Sequence, residues 1–161
     1  ENARIANSAM NGQPLRYVLV KTPEVVRKIQ PCFHFAAALP KELGQPKEGE
    51  QPAAFIILCT EGPETPWTGI DIGIAVRTMN LNAYIHGVGS CIIGNVEFEK
   101  VKEILSIPET WIPRLALALG YPSHKSTIVE LPEDGSVKYY LDEERQYYVP
   151  KRKRKDISII R

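Results

Sequence analysis

Ser8, Asn11 and Gln13 lie close together in Asn7-Ser8-Ala9-Met10-Asn11-Gly12-Gln13-Pro14, directly before the strand-like run Leu15-Arg16-Tyr17-Val18-Leu19-Val20. One hydroxyl and two carboxamides present donors and acceptors without adding charge. Such a lining suits the edge of a polar, neutral ring system. The segment also carries ordinary helix stop signals, since Asn and Gly favour a left-handed turn and Pro ends a helical run. On these residues alone both readings stand.

A second candidate is Gly87-Val88-Gly89-Ser90-Cys91-Ile92-Ile93-Gly94. It invites comparison with the three-glycine dinucleotide fingerprint, but Ile92 occupies the third glycine position. The stretch also reads as a loop after a helix, not after a strand, which excludes a Rossmann site. Glycines at this spacing still let the backbone approach a planar ligand and present its amides. Cys32 and His34 lie two apart, yet no second ligand cluster completes the four that zinc takes, and both read as packed core groups. Ser90 beside Cys91 suggests a nucleophile, but no G-x-S-x-G elbow exists and neither His86 nor His124 has an evident orienting acid. A hydrolase is disfavoured. The run Lys151-Arg152-Lys153-Arg154-Lys155 admits a solvated tail, a nucleic-acid arm or an anion clamp. Flanked by Tyr-Tyr-Val-Pro and Ile-Ser-Ile-Ile, it is held near folded structure, where Arg forks could grip a phosphate.

The elements that must position these residues follow from periodicity. Arg16 to Val20 and Ala53 to Cys59 read as buried strands, and Leu115 to Leu119 as a third, ended by Gly120-Tyr121-Pro122. Thr127 to Leu131 is expected to be extended. Pro23 to Ala38 is expected to be helical, opened by Pro23-Glu24. Asp71 to His86 is a firm helix, with Asp71 as its cap, Ile72, Ala75, Val76, Met79 and Ala83 at helical spacing, and Gly87 as its stop. That stripe reads as core or subunit interface. Glu97 to Leu105 is amphipathic, and Pro108 and Pro113 are expected to break the chain. Lys41 to Pro52 and Glu61 to Gly69 read as loops, and Ile157 to Ile160 as an apolar arm that needs a covering surface.

The chain has 161 residues, 43% hydrophobic and 24% charged, which suits a single domain covering 1–161 with a sizeable core. No apolar run approaches the roughly 18 residues of a membrane span, and no signal peptide is visible. Three widely spaced cysteines suit reduced thiols in a cytoplasmic setting. The net charge of +1 conceals a basic concentration at 151–155, with the remainder near −4. Glu1 opens inside what reads as a helix, so the native N-terminus is expected upstream.

In order, the segment 3–14, Asp71-Ile72-Gly73-Ile74-Ala75, Gly87 to Gly94, Leu119-Gly120-Tyr121-Pro122 and Arg152-Lys153-Arg154-Lys155 resemble the nitroreductase family of FMN-dependent oxidoreductases. The resemblance spans nearly the whole chain. It implies an α+β fold with a central, mostly antiparallel sheet flanked by helices, in an intertwined homodimer holding FMN at the subunit interface. It further implies that Ser8 and Asn11, with Gln13 adjoining, approach the flavin from one subunit. Ile92 and Ile93 would then pack on the ring, the Gly94 amide would point near flavin N5, and Arg152 and Arg154 would hold the phosphate. The family's N-terminal Arg-Arg-Ser-x-Arg segment is absent, Asn7 replaces a Pro and Leu15 a Trp. The short connection from Gly94 to Tyr121 leaves no room for a helical lid, so an open substrate pocket is expected.

The activity implied is hydride transfer from NADH or NADPH to FMN and onward to a small acceptor such as a nitroaromatic or quinone. No catalytic side chain is required, because the cofactor carries the redox chemistry. A metal, a membrane and a nucleic acid are not expected partners. The rivals are a non-catalytic FMN-binding protein and a family member with another flavin chemistry, such as dehalogenation or ring oxidation.

Overall fold

Residues 54–59 and 115–119 offer no polar face, so strands built from them must be covered on both sides. The computed structural model describes residues 1–161, the Lys41 side chain excepted, and has that arrangement. In chain order come α1 (Asn2–Ile5), β1 (Leu15–Val20), α2 (Pro23–Ile29), α3 (Lys41–Gly44), β2 (Ala54–Glu61) and α4 (Thr68–Ile85). After these follow β3 (Gly89–Ile93), α5 (Phe98–Leu105), β4 (Trp111–Gly120), β5 (Ser126–Glu130), β6 (Tyr140–Leu141) and β7 (Tyr147–Lys151). The length suits one domain, and the residues pack as two compact units, 1–35 with 45–121 and 36–44 with 122–161.

The first unit holds a four-stranded sheet in the order β1-β2-β4-β3, antiparallel throughout. Alternation splits its side chains between two cores. Phe55, Ile57, Cys59, Ala116 and Ala118 point to one face, where Val26 and Ile29 of α2 and Val101 of α5 cover them. Leu58 and Leu117 point to the other, under Ala75 and Val76 of α4. The second unit holds a smaller sheet, β5-β7-β6, with β5 parallel and β6 antiparallel to β7. Tyrosines dominate it: Tyr140 stacks on Tyr148 at 5.2 Å, and Tyr147 lies against His124 at 4.5 Å.

Several expectations shift for identifiable reasons. The helix expected over Pro23 to Ala38 stops at Ile29 and tightens into a 3-10 turn over Gln30–Cys32. Pro31 is the cause, because its ring removes an amide donor and clashes with the preceding turn. Pro113 does not break the chain but sits within β4, at a bulge where Cys59 pairs with Pro113 and Leu58 with Leu115. The bulge leaves Arg114 without a register partner, and bulges are where a sheet tolerates proline. The helix expected from Asp71 begins one turn earlier, at Thr68. Gly87 to Gly94 is not a loop throughout, since Gly89–Ile93 pairs with β4 as an edge strand. Gly87 keeps the expected stop role at φ 70°. Ile157, Ile159 and Ile160 of the expected arm are exposed.

Phe55 is fully buried and stacks on Phe33 at 4.2 Å. Phe55→Ala is expected to lower stability by about 3–5 kcal/mol, the range for an aromatic core deletion. Urea denaturation followed by circular dichroism checks it.

Candidate functional site

The segment ahead of β1 is built against backbone preference. Met10, Asn11 and Gln13 hold φ of 51°, 56° and 48°, whereas Gly12 sits in the right-handed region at φ −67°. Left-handed geometry is tolerated by Asn but unfavourable for Met and Gln by roughly 1–2 kcal/mol each. Gly12 is there for space, because a Cβ would lie 3.2 Å from the Ala9 carbonyl oxygen. Strain of this kind persists only where surrounding contacts hold it.

Those contacts can be traced one by one. The Ser8 hydroxyl oxygen accepts the Gln13 amide at 3.0 Å, closing the loop on itself. The Asn11 amide donates to the Ser8 carbonyl at 3.0 Å and the Gly12 amide to the Ala9 carbonyl at 2.9 Å. The Ala9 amide donates to Asp71 Oδ1 at 2.9 Å. At the far end, Arg16 Nη1 donates to the carbonyls of Gln13 (3.1 Å) and Leu15 (2.9 Å). Arg16 also pairs with Glu61 at 2.8 Å, and the Glu61 amide donates to the Pro14 carbonyl at 2.9 Å. Glu61 Oε1 accepts the Trp111 indole N–H at 3.1 Å. Asn11 and Gln13 are left exposed, while Ser8 is half-buried and keeps its hydroxyl proton as a donor.

A cleft of about 280 Å³ opens beside this loop, with Ser8, Gln13, Arg4, Arg16 and Tyr17 in its wall. Burial pushes the Tyr17 hydroxyl above its ordinary value, and it donates to the Ala3 carbonyl at 3.4 Å. The cleft is mixed in character, with Ala3, Ala6, Pro14 and Leu15 beside these polar groups, and the Arg16 guanidinium is already engaged by Glu61.

β3 presents the second set of residues differently from the expectation. Ile92 faces outward at 45% exposure, but Ile93 is 4% exposed and belongs to the core with Val101 and Ala116. Strand alternation allows only one of two successive side chains to face a ligand, so Ile93 can reach one by its backbone alone. Gly94 is exposed, and a Cβ there would make only ordinary contact with Leu115 at 3.8 Å. Among the described residues, no close contact requires glycine at this position. Ser90 is not poised as a nucleophile, since its oxygen accepts from Asn80 Nδ2 at 2.6 Å. β1 and β3 are the two edges of the sheet, three interstrand spacings or roughly 14 Å apart.

Arg152 and Arg154 lie in the second unit, both exposed, with no side-chain ion pair among the described residues. Lys153 between them pairs with Glu130 at 3.0 Å. Cys59 is fully buried, and burial pushes its thiol up to about 11; the Cys32 thiol is raised too, by burial and then by Glu97. Both shifts disfavour the thiolate, the nucleophilic form. His34 Nε2 stands 3.6 Å from Glu97 Oε1, a half-exposed pair on the far side of the sheet from α4. Asp71, Glu61 and Asn80 are the residues that sequence reasoning missed in these roles. Their contacts are non-local, and no spacing announces them.

Glu61→Ala removes the acceptor for Trp111 and the partner of Arg16 together. A stability loss of about 1–2 kcal/mol is expected, kept small by partial exposure. Chemical denaturation measures it, and unchanged stability would mean the far-end anchor does not hold.

Comparison with known proteins now bears on this geometry. An Archaeoglobus fulgidus protein named as an NADH dehydrogenase/NAD(P)H nitroreductase is 28% identical over 137 residues, covering 80% of this chain and 72% of the relative. A Bacillus subtilis protein named FMN reductase (NADPH) is 37% identical over 59 residues, covering 35% of this chain and 24% of that relative. In fold, the chain is similar to the nitroreductase family protein from Streptococcus pneumoniae TIGR4, with a TM-score of 0.62, 20% identity, and coverage of 83% of this chain and 82% of that one. The model of the nitroreductase family matches residues 1–121, which take in the strained loop, the whole four-stranded sheet and Gly94. The chain belongs to the nitroreductase family.

Proposed function

We propose that this protein is an FMN-dependent oxidoreductase that accepts reducing equivalents from NADH or NADPH and delivers them to a small acceptor such as a nitroaromatic or quinone. The observation that carries the reading is Gly94. A glycine that no φ angle and no internal contact demands, on an exposed edge beside an outward Ile92, suits the close approach of a flat ligand. The names of the relatives from Archaeoglobus fulgidus and Bacillus subtilis support the same chemistry. FMN, when bound, would supply the two-electron redox step.

The chain's own residues fit such a group in kind. Exposed Asn11 and Gln13, with the Ser8 hydroxyl, offer neutral donors and acceptors to a ring rich in carbonyl and nitrogen edges. Ile92 offers an apolar contact for a ring face, and Gly94 its backbone. Arg152 and Arg154 offer guanidiniums for the phosphate, one fork each. With no side chain assigned a proton transfer, the chain's work is to bind, orient and restrict access.

We infer further that the site is shared between two copies in a homodimer. The outer face of α4 carries Ile70, Ile74, Leu81, Tyr84 and Ile85, all exposed, at the spacing of one helical stripe. Gly73 lies in that stripe with open space beyond it, which would let a second helix come close. Arg77 is the charged residue in that stripe, and a stripe otherwise this apolar calls for cover. The opposite-edge positions of β1 and β3 suit a ligand that takes the loop from one copy and β3 from the other.

Three substitutions test this reading. Purified protein reconstituted with FMN should retain it through gel filtration, and Arg154→Ala should weaken binding by about 1.5–3 kcal/mol. Gly94→Ala should leave thermal stability unchanged and still lower FMN affinity; full affinity would remove the reason for the glycine. Leu81→Glu should give a folded monomer by sedimentation velocity that has lost FMN as well. A dimer that persists would place the interface elsewhere.

A further inference from the structure

Ala9 stands between Ser8 and the left-handed pair Met10 and Asn11, and its amide donates to a carboxyl 62 residues away. That carboxyl, on Asp71, is 3% exposed in the first turn of α4, next to the core positions Ala75 and Val76. A buried carboxyl is unfavourable unless it is hydrogen-bonded, so a polar side chain here needs a reason. Capping is not the reason. The helix opens three residues earlier, where the Thr68 hydroxyl accepts the Thr65 amide at 2.9 Å, and the Asp71 amide already closes on the Trp67 carbonyl at 2.9 Å. The loop's other anchor, from Arg16 and Glu61, holds Gln13 and Pro14 and leaves the Ser8 end to Asp71.

We propose that Asp71 is a positioning residue: by holding the Ala9 amide it fixes the strained loop that presents Ser8 and Asn11 to the flavin. This rests on the FMN reading above. Without the contact, Met10 and Asn11 are free to leave the left-handed region, and the two side chains lose their common direction. Asp71 itself touches no ligand in this scheme, and its charge is not needed, only its acceptor oxygen at 2.9 Å.

The test uses the full chain with FMN as the probe. Binding is titrated by flavin fluorescence, and the visible circular dichroism of bound flavin is recorded at saturation, where it reports ring surroundings and not the fraction folded. Asp71→Ala is expected to weaken FMN binding roughly tenfold or more, in line with loss of a strong hydrogen bond, and to change the visible band. Asp71→Asn keeps an acceptor oxygen and should restore both. Ala9→Pro deletes the donor where the preceding Ser8 is already extended, at φ −130° and ψ 153°, so it should reproduce the Asp71→Ala effect. The double variant should then be no worse than either single one. If Asp71→Ala does not fold, Ala9→Pro and Asp71→Asn carry the comparison. Wild-type affinity and an unchanged band in Ala9→Pro, or penalties that add in the double variant, would overturn the assignment. A wild-type chain that binds no FMN overturns the flavin reading itself, a separate result.

Discussion

Burial of β2 and β4 on both faces is the constraint from which the rest follows. Each contributes side chains to two cores, so helices must cover both surfaces of the sheet. α2 and α5 take one face and α4 the other. Because α4 is pressed against Leu58 and Leu117, its first turn is held beside the segment that enters β1. That is where Asp71 meets Ala9. The opposite stripe of α4 is exposed and, Arg77 apart, apolar, the feature on which the proposed homodimer rests.

The strained loop is understandable within that frame. Left-handed geometry at Met10, Asn11 and Gln13 is unfavourable in isolation, and the loop keeps it because both ends are tied to rigid elements, α4 through Asp71 and the sheet through Arg16 and Glu61. Strain held this way turns a short polar segment into a fixed surface, with Asn11 and Gln13 outward. An ordinary helix stop would need only one left-handed residue, and the glycine would be the one to take it.

The strands β2 and β4 and the helices α4 and α5 were legible in the sequence because their signals are local, continuous apolar runs for the strands and helical spacing for the helices, whereas the antiparallel pairing was implied only by the family resemblance. The loop was legible as a candidate from its residue types. What stayed hidden depends on partners distant in the chain. Pro113 reads as a breaker until the bulge opposite Leu58 and Cys59 is known, and Gly89–Ile93 reads as a glycine loop until β4 is there to pair with it. The inward turn of Ile93 stayed hidden for the same reason, since inward and outward alternate only once the stretch is a strand. Asp71 looked like a cap from its position, but the chain enters α4 a turn earlier and frees that carboxyl for Ala9.

The central claim is that one loop, one glycine edge and a second copy together make a working flavin site. The most direct measurement is anaerobic mixing of the FMN-loaded protein with NADH or NADPH while the visible flavin spectrum is followed. The account predicts that the flavin absorbance bleaches while FMN stays bound, and returns when a quinone is added. Absorbance that persists under excess of both nucleotides would contradict it, leaving a protein that holds the cofactor without using it.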